Sequence, residues 1–146
     1  MEDLKEKVRR WMAAYNAHRL DELAEAYAED AELVGPTAGQ LKGRQSIADH
    51  WKNALEVAPD SKATIDRIIS EGNVVAVEYT VTGTNTGPLR LPTGQVMPAT
   101  NKRVTAPGLD ILTYESGKVV SHHLYFDRIP ILAQLGMMPA PASARA

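Results

Sequence analysis

The sequence predicts an α+β domain: three N-terminal helices packed on a curved, mostly antiparallel sheet, with a short helix at the C-terminal end. Three observations predict it. Apolar residues recur at three- and four-residue spacing as far as Glu56. After Pro59-Asp60 the apolar period changes to two. Finally, alternating runs are joined in pairs by Ser70-Glu71-Gly72 and Glu115-Ser116-Gly117, which read as hairpin turns.

Leu4, Val8, Trp11, Met12 and Tyr15 form one apolar stripe and define the first helix. Asn16-Ala17-His18-Arg19 breaks the pattern. A second helix runs through Leu20, Leu23, Ala24 and Tyr27, with Asp21 and Glu22 suited to its positive N-terminal end. Ala31 to Val34 reads as a short strand stopped by Gly35-Pro36, and Gly43 to Glu56 as a third helix carrying Ile47, Trp51 and Leu55. Ala63–Ile69 and Asn73–Thr82 are strands; Val75, Val77, Tyr79 and Val81 share one face, while Val74 and Ala76 make the other partly apolar. Residues 83–101 hold four Thr, three Pro and three Gly, so they read as a long loop or lid between strands. Arg103–Tyr114 and Lys118–Phe126 pair as another hairpin, and the apolar segment from Arg128 to Gly136 is a short helix. Residues 1–138 make a single domain; 139–146 are a Pro/Ala-rich tail expected to fray.

Composition narrows the function. At 146 residues the chain can bury a sizeable core, and 44% hydrophobic with 23% charged residues is ordinary for a globular protein. A net charge of -2 points away from nucleic acid and anionic membranes. The absence of cysteine excludes disulfides, thiolate catalysis and Cys-ligated zinc. The charged N-terminus lacks a signal-peptide core, and no apolar run is long enough to span a membrane, so a cytoplasmic protein is expected. Neither phosphate-loop pattern is present. No HxH or HxxxH spacing occurs, so no metal site is expected.

The sharpest chemical signal is Asp127, at the end of the run Lys118-Val119-Val120-Ser121-His122-His123-Leu124-Tyr125-Phe126. An acid placed where an apolar strand stops can be aimed into a cavity between helices and sheet, as a poorly hydrated carboxylate able to take and return a proton; its other reading is a cap for the helix that follows, or an ion-pair partner of Arg128. Asp110, on the adjacent strand, is a second candidate acid, able to stay protonated and donate a hydrogen bond. Strict alternation groups His123 with Tyr125 and Asp127, and His122 with Leu124 and Phe126. Tyr15, Asn16 and Asn53 are polar helix residues able to point into the cavity, and Trp11 and Trp51 read as core or pocket wall.

The chain resembles the NTF2-like superfamily and, within it, the SnoaL-like polyketide cyclases, or ester cyclases. The resemblance runs from Val8 to Pro139. It is carried by Trp11-Met12-Ala13-Ala14-Tyr15-Asn16-Ala17-His18, Tyr27-Ala28-Glu29-Asp30-Ala31, Gly43-Arg44-Gln45-Ser46-Ile47, Thr82-Gly83-Thr84-Asn85-Thr86-Gly87 and Pro107-Gly108-Leu109-Asp110, and most specifically by Tyr125-Phe126-Asp127 with Gln134-Leu135-Gly136. It implies an NTF2-like cone and intramolecular aldol ring closure without metal or cofactor, by one Asp that takes a C–H proton and returns one to the product alkoxide. Asp127 matches that Asp. The superfamily comparison favours His122 as the pocket histidine, which requires a bulge or strand end before Asp127. Ketosteroid isomerase is similar in the first helix and around residues 106–121, but its base falls on Gly35 and its oxyanion tyrosine on Trp11; its second acid alone is matched, at Asp110.

The reading is therefore a cofactor-free cyclase, isomerase or lyase with Asp127, His122 and Asp110 as catalytic residues. Tyr15, Asn16, Trp51, Leu124 and Phe126 are expected to hold a small apolar carbonyl compound. A homodimer through the outer sheet face is expected as well. The competing reading is a non-catalytic module that binds a small ligand or scaffolds a partner, since fold alone does not fix function.

Overall fold

The computed structural model describes residues 3–90 and 93–138; the expected fraying of 139–146 lies outside them. Four helices and eight strands follow in the order α1 (Leu4–Asn16), α2 (Leu20–Glu25), β1 (Tyr27–Gly35), β2 (Gly39–Lys42), α3 (Arg44–Val57), β3 (Lys62–Glu71), β4 (Val74–Thr84), β5 (Leu89–Arg90), β6 (Val96–Met97), β7 (Arg103–Glu115), β8 (Lys118–Tyr125) and α4 (Arg128–Gln134). No helix among them is long and apolar enough to cross a membrane.

Six strands form one sheet in the order β2-β1-β8-β7-β4-β3, and β5 and β6 pair separately. Every neighbouring pair in the sheet is antiparallel except β1 with β8. Asp3 caps α1, its carboxylate accepting from the N–H groups of Lys5 and Glu6. The buried stripe of α1 is Val8, Trp11, Met12, Ala14 and Tyr15, and that of α3 is Ile47, Trp51 and Leu55. Against them the sheet contributes Leu33, Val75, Val77, Leu112 and Val119. Each such aliphatic side chain, fully buried, contributes roughly 1.5–3 kcal/mol.

Three elements depart from the sequence reading. Tyr27 belongs to β1, not to the second helix, because it pairs with Val119 of β8 and its carbonyl accepts from Arg44 Nε at 2.8 Å. Long-range pairing there overrides the four-residue spacing from Leu23. Secondly, β2 emerges from a stretch with no alternation, folded back on β1 through Gly35↔Gly39. Thirdly, the 83–101 segment contains the β5–β6 pair and is tied down by buried Asn85. Asn85 Nδ2 donates to the carbonyls of Val57 and Gly87, and its Oδ1 accepts from Thr100 N and Oγ1.

The segment from Gln134 to Gly136 is tied to the sheet. Gln134 exchanges two hydrogen bonds with the backbone of Thr105, at 2.8 and 2.9 Å. Leu135 is buried, and Gly136 takes the positive φ of 78° that ends a helix without strain. The Gln-Leu-Gly motif thus fixes α4 against β7.

Candidate active site

Between α1, α3, α4 and the sheet lies a cavity of about 780 Å³. Its wall is largely apolar: Met12, Ala54, Val81, Leu124, Phe126 and Leu132 are typical. Asp110, from β7, is the buried carboxylate among the described residues and lines this cavity while only 4% exposed.

Alternation explains its position. Asp110 pairs with Val77 on β4 and with Leu124 on β8, so it sits on the inward parity of three adjacent strands. Tyr79 lies two residues along β4 on the same face, and its hydroxyl donates to Asp110 Oδ1 at 2.8 Å. That ring lies across Gly108, its register partner, where an added Cβ would come within 2.5 Å of Tyr79 Cζ. The close approach is open only to glycine.

The other oxygen meets His122, fully buried, whose Nε2 lies 2.7 Å from Asp110 Oδ2. The Nδ1 atom of His122 is 2.8 Å from the Tyr27 hydroxyl, which accepts from Trp51 Nε1 at 3.0 Å. Indole N–H can only donate, so the Tyr27 proton is free for His122 Nδ1. His122 then carries its own proton on Nε2 and donates it to Asp110 Oδ2. This assignment satisfies every group of the chain Trp51–Tyr27–His122–Asp110–Tyr79. Burial pushes the Tyr27 phenol far up despite the opposing Trp51 hydrogen bond, and burial with the Asp110 charge does the same to Tyr79, so both remain donors.

The imidazole is held on all sides. It lies near-parallel to Tyr27 (centroids 5.9 Å, 18°) and to Trp51 (6.0 Å, 29°), with Trp11 edge-on at 5.9 Å. His122 is thereby fixed behind Asp110, outside the cavity wall. His50 is different: it lines the cavity, packs on Trp51 at 5.0 Å, and is lowered to about 4 by burial, with a smaller contribution from His122. At neutral pH it is an uncharged imidazole facing the ligand space.

The structure brings together Asp110, His122, Tyr15, Trp51, Leu124 and Phe126. Tyr15 contributes a hydroxyl 2.7 Å from Ser61 Oγ, and burial raises its phenol. Two expected positions are corrected. Asp127 is exposed, and its carboxylate caps α4 by accepting from Ile129 N at 2.9 Å. β8 ends at Tyr125; Phe126 still lines the cavity, whereas Asp127 after it turns to the start of α4. Asn16 is not on the cavity wall; its amide donates to Ala63 O (2.9 Å) and accepts from Ala63 N (2.7 Å), joining α1 to β3. Tyr27, Tyr79 and His50 did not emerge from the sequence as site residues. Tyr79 had a usable signal, a polar-tipped aromatic on the apolar parity of its strand. Among the described residues no cluster of three His, Asp or Glu side chains is placed to ligate a metal.

Comparison with known proteins agrees with this architecture. Residues 8–122 match the SnoaL-like domain model. IdmH of Streptomyces antibioticus, assigned as a polyketide cyclase, is 25% identical with a TM-score of 0.76, over 92% of this chain and 99% of its own. A protein of Jannaschia sp. CCS1, assigned as a SnoaL-like polyketide cyclase, is 18% identical with a TM-score of 0.79, over 92% of each chain. A protein of ketosteroid isomerase-like fold from Catenulispora acidiphila, solved with trimethylamine, is 21% identical with a TM-score of 0.73, over 95% of this chain and 96% of its own. No curated protein matches the sequence. The fold is α+β and NTF2-like.

Proposed function

We propose that this chain, which belongs to the SnoaL-like domain family, is a cofactor-independent acid–base catalyst for small apolar carbonyl compounds. The reaction class is intramolecular aldol-type ring closure or a related isomerisation or lysis. The observation that carries the proposal is Asp110, a buried carboxylate on the cavity wall with one donor on each oxygen.

Asp110 removes an acidic C–H proton next to a carbonyl, and the bonding pair moves into the enolate. The enolate carbon attacks a second carbonyl of the same molecule, forming the new C–C bond. The displaced π pair becomes an alkoxide, which takes the proton back from Asp110. Atoms and charge balance without a co-reactant. Tyr79 and His122 each occupy one lone pair of Asp110, leaving the others to face the substrate. His122 is a positioning residue, because it touches Asp110 and not the ligand space. His50 and Tyr15 are among the polar groups on the cavity wall available to the enolate oxygen. Phe126, Leu124 and Trp51 form the apolar bed. Asp127 is assigned to capping.

The test is α-deuterium exchange of 2-tetralone in D₂O, followed by NMR. Wild type should accelerate it and Asp110→Asn should lose about 10²–10⁴-fold, with N-phenyl-1-naphthylamine still bound by the cavity. A second reading, ligand binding without catalysis, is favoured by both Asp110 oxygens already having internal donors. Probe binding with no exchange in wild type would support it. A homodimer through the outer sheet face, where Ile69 and Tyr125 are exposed, belongs to the same proposal; a monomer in sedimentation at micromolar concentration would remove it.

A further inference from the structure

The charges on the cavity are arranged unevenly along its depth. Inside sits the buried carboxylate of Asp110, and the walls between are mostly apolar. Where exposed residues line the cavity, at its opening, two arginines contribute: Arg90 from β5 and Arg128 from the start of α4. Neither guanidinium has a hydrogen-bond or ion-pair partner among the described residues. Elsewhere on the surface Arg9, Arg19 and Arg67 each pair with a nearby glutamate. The opposing charge on the same rim is Asp49 of α3, whose carboxylate already accepts from Gln45 at 3.0 Å.

We propose that the mouth of the cavity recognises an oxyanion, so that the ligand is an apolar carbonyl compound carrying a carboxylate or phosphate at the end remote from its reacting C–H. The placement of the reacting end rests on the acid–base function assigned to Asp110; the recognition of the anion does not. Two physical reasons support it. A guanidinium presents paired N–H donors matched to the two oxygens of a carboxylate or phosphate, and such charge-assisted bonds are the strong ones. An anion entering head-first would instead meet the buried Asp110 among mostly apolar walls, where like charges repel strongly. Attraction at the rim and repulsion inside therefore select one orientation of the same ligand. That orientation puts the uncharged carbonyl end against Asp110, which proton transfer requires.

The experiment uses N-phenyl-1-naphthylamine fluorescence as the reporter of cavity occupancy. It is displaced by 2-naphthoate, by 2-naphthyl phosphate and by neutral 2-acetylnaphthalene. Wild type should favour at least one anion over the neutral ketone by about tenfold, the value of one charge-assisted contact; which anion wins tells carboxylate from phosphate. The double variant Arg90→Gln/Arg128→Gln should bind all three alike, with unchanged affinity for the ketone. Asp49→Asn should strengthen the anions and leave the ketone alone. Wild type without a preference for either anion overturns the proposal, as does a preference that survives loss of both arginines. Neither result depends on catalysis, so failure here is distinct from failure of deuterium exchange.

Discussion

Replacing Tyr27 with Phe removes one oxygen and leaves the ring packing intact. The hydroxyl joins Trp51 Nε1 and His122 Nδ1, and Tyr27 and His122 are both fully buried. Water cannot readily substitute for it. The variant orphans one donor and one acceptor, and each buried group left unpaired costs about 1–3 kcal/mol. The expected loss of stability is thus about 2–6 kcal/mol, or a fall in Tm of roughly 5–25 °C for a chain of this size. Urea unfolding at pH 7 measures it, with the m-value unchanged if the denatured state is unaffected. Tyr15→Phe is the control: its hydroxyl pairs with Ser61 Oγ alone, so it should cost about half as much or less. Proton-coupled ¹⁵N NMR should also show His122 protonated on Nε2 in wild type, with Nδ1 changing in the variant. A Tyr27→Phe protein within about 0.5 kcal/mol of wild type, inside the range of ordinary surface changes, would refute the hydrogen-bond chain.

Further expectations follow from the same geometry. Gly108→Ala should push the Tyr79 ring off Asp110, since the new Cβ would lie 2.6 Å from the hydroxyl; a stability loss of about 1–3 kcal/mol should largely vanish when the change is made in a Tyr79→Ala background, and additive losses would argue against the contact. His50, lowered from 6.5 to about 4, stays neutral in the fold while its unfolded counterpart takes up a proton. Its contribution is therefore full above pH 6.5, declines as pH falls, and is gone near pH 4; the total is on the order of 3 kcal/mol. Urea midpoints of His50→Phe should fall less steeply over that window than those of wild type, and parallel curves would contradict the shift. Asn16→Ala should lose both bonds to Ala63 and about 1–3 kcal/mol while binding N-phenyl-1-naphthylamine as before; weakened binding at unchanged stability would return Asn16 to the site.

Much of this was legible from the chain. Period and hairpin spacing located α1, α3, β3, β4, β7 and β8, because each of those elements buries one face against a single neighbour layer. Alternation along β8 was legible too. It grouped His122 with Leu124 and Phe126, and the structure keeps that grouping. What misled was the expected match at Asp127: β8 does end before it, at Tyr125, but the carboxylate turns to cap α4 and not into the cavity. The register of β7 against β4 and β8 could not be read from one strand alone, and it is this register that sets Asp110 beside Tyr79 and His122. Tyr27 was hidden for a similar reason. Its partners are 24 and 95 residues away, whereas its spacing from Leu23 is local and helical.

Two carboxylates now compete for one role, and they differ in environment: Asp110 is buried on the cavity wall, while Asp127 is exposed and caps α4. The deciding measurement is the deuterium-exchange rate of 2-tetralone with Asp110→Asn and Asp127→Asn side by side, each checked for probe binding. Asp110→Asn should lose about 10²–10⁴-fold, and Asp127→Asn should change by less than about threefold. Exchange that survives Asp110→Asn but collapses in Asp127→Asn would contradict the assignment of that role to Asp110.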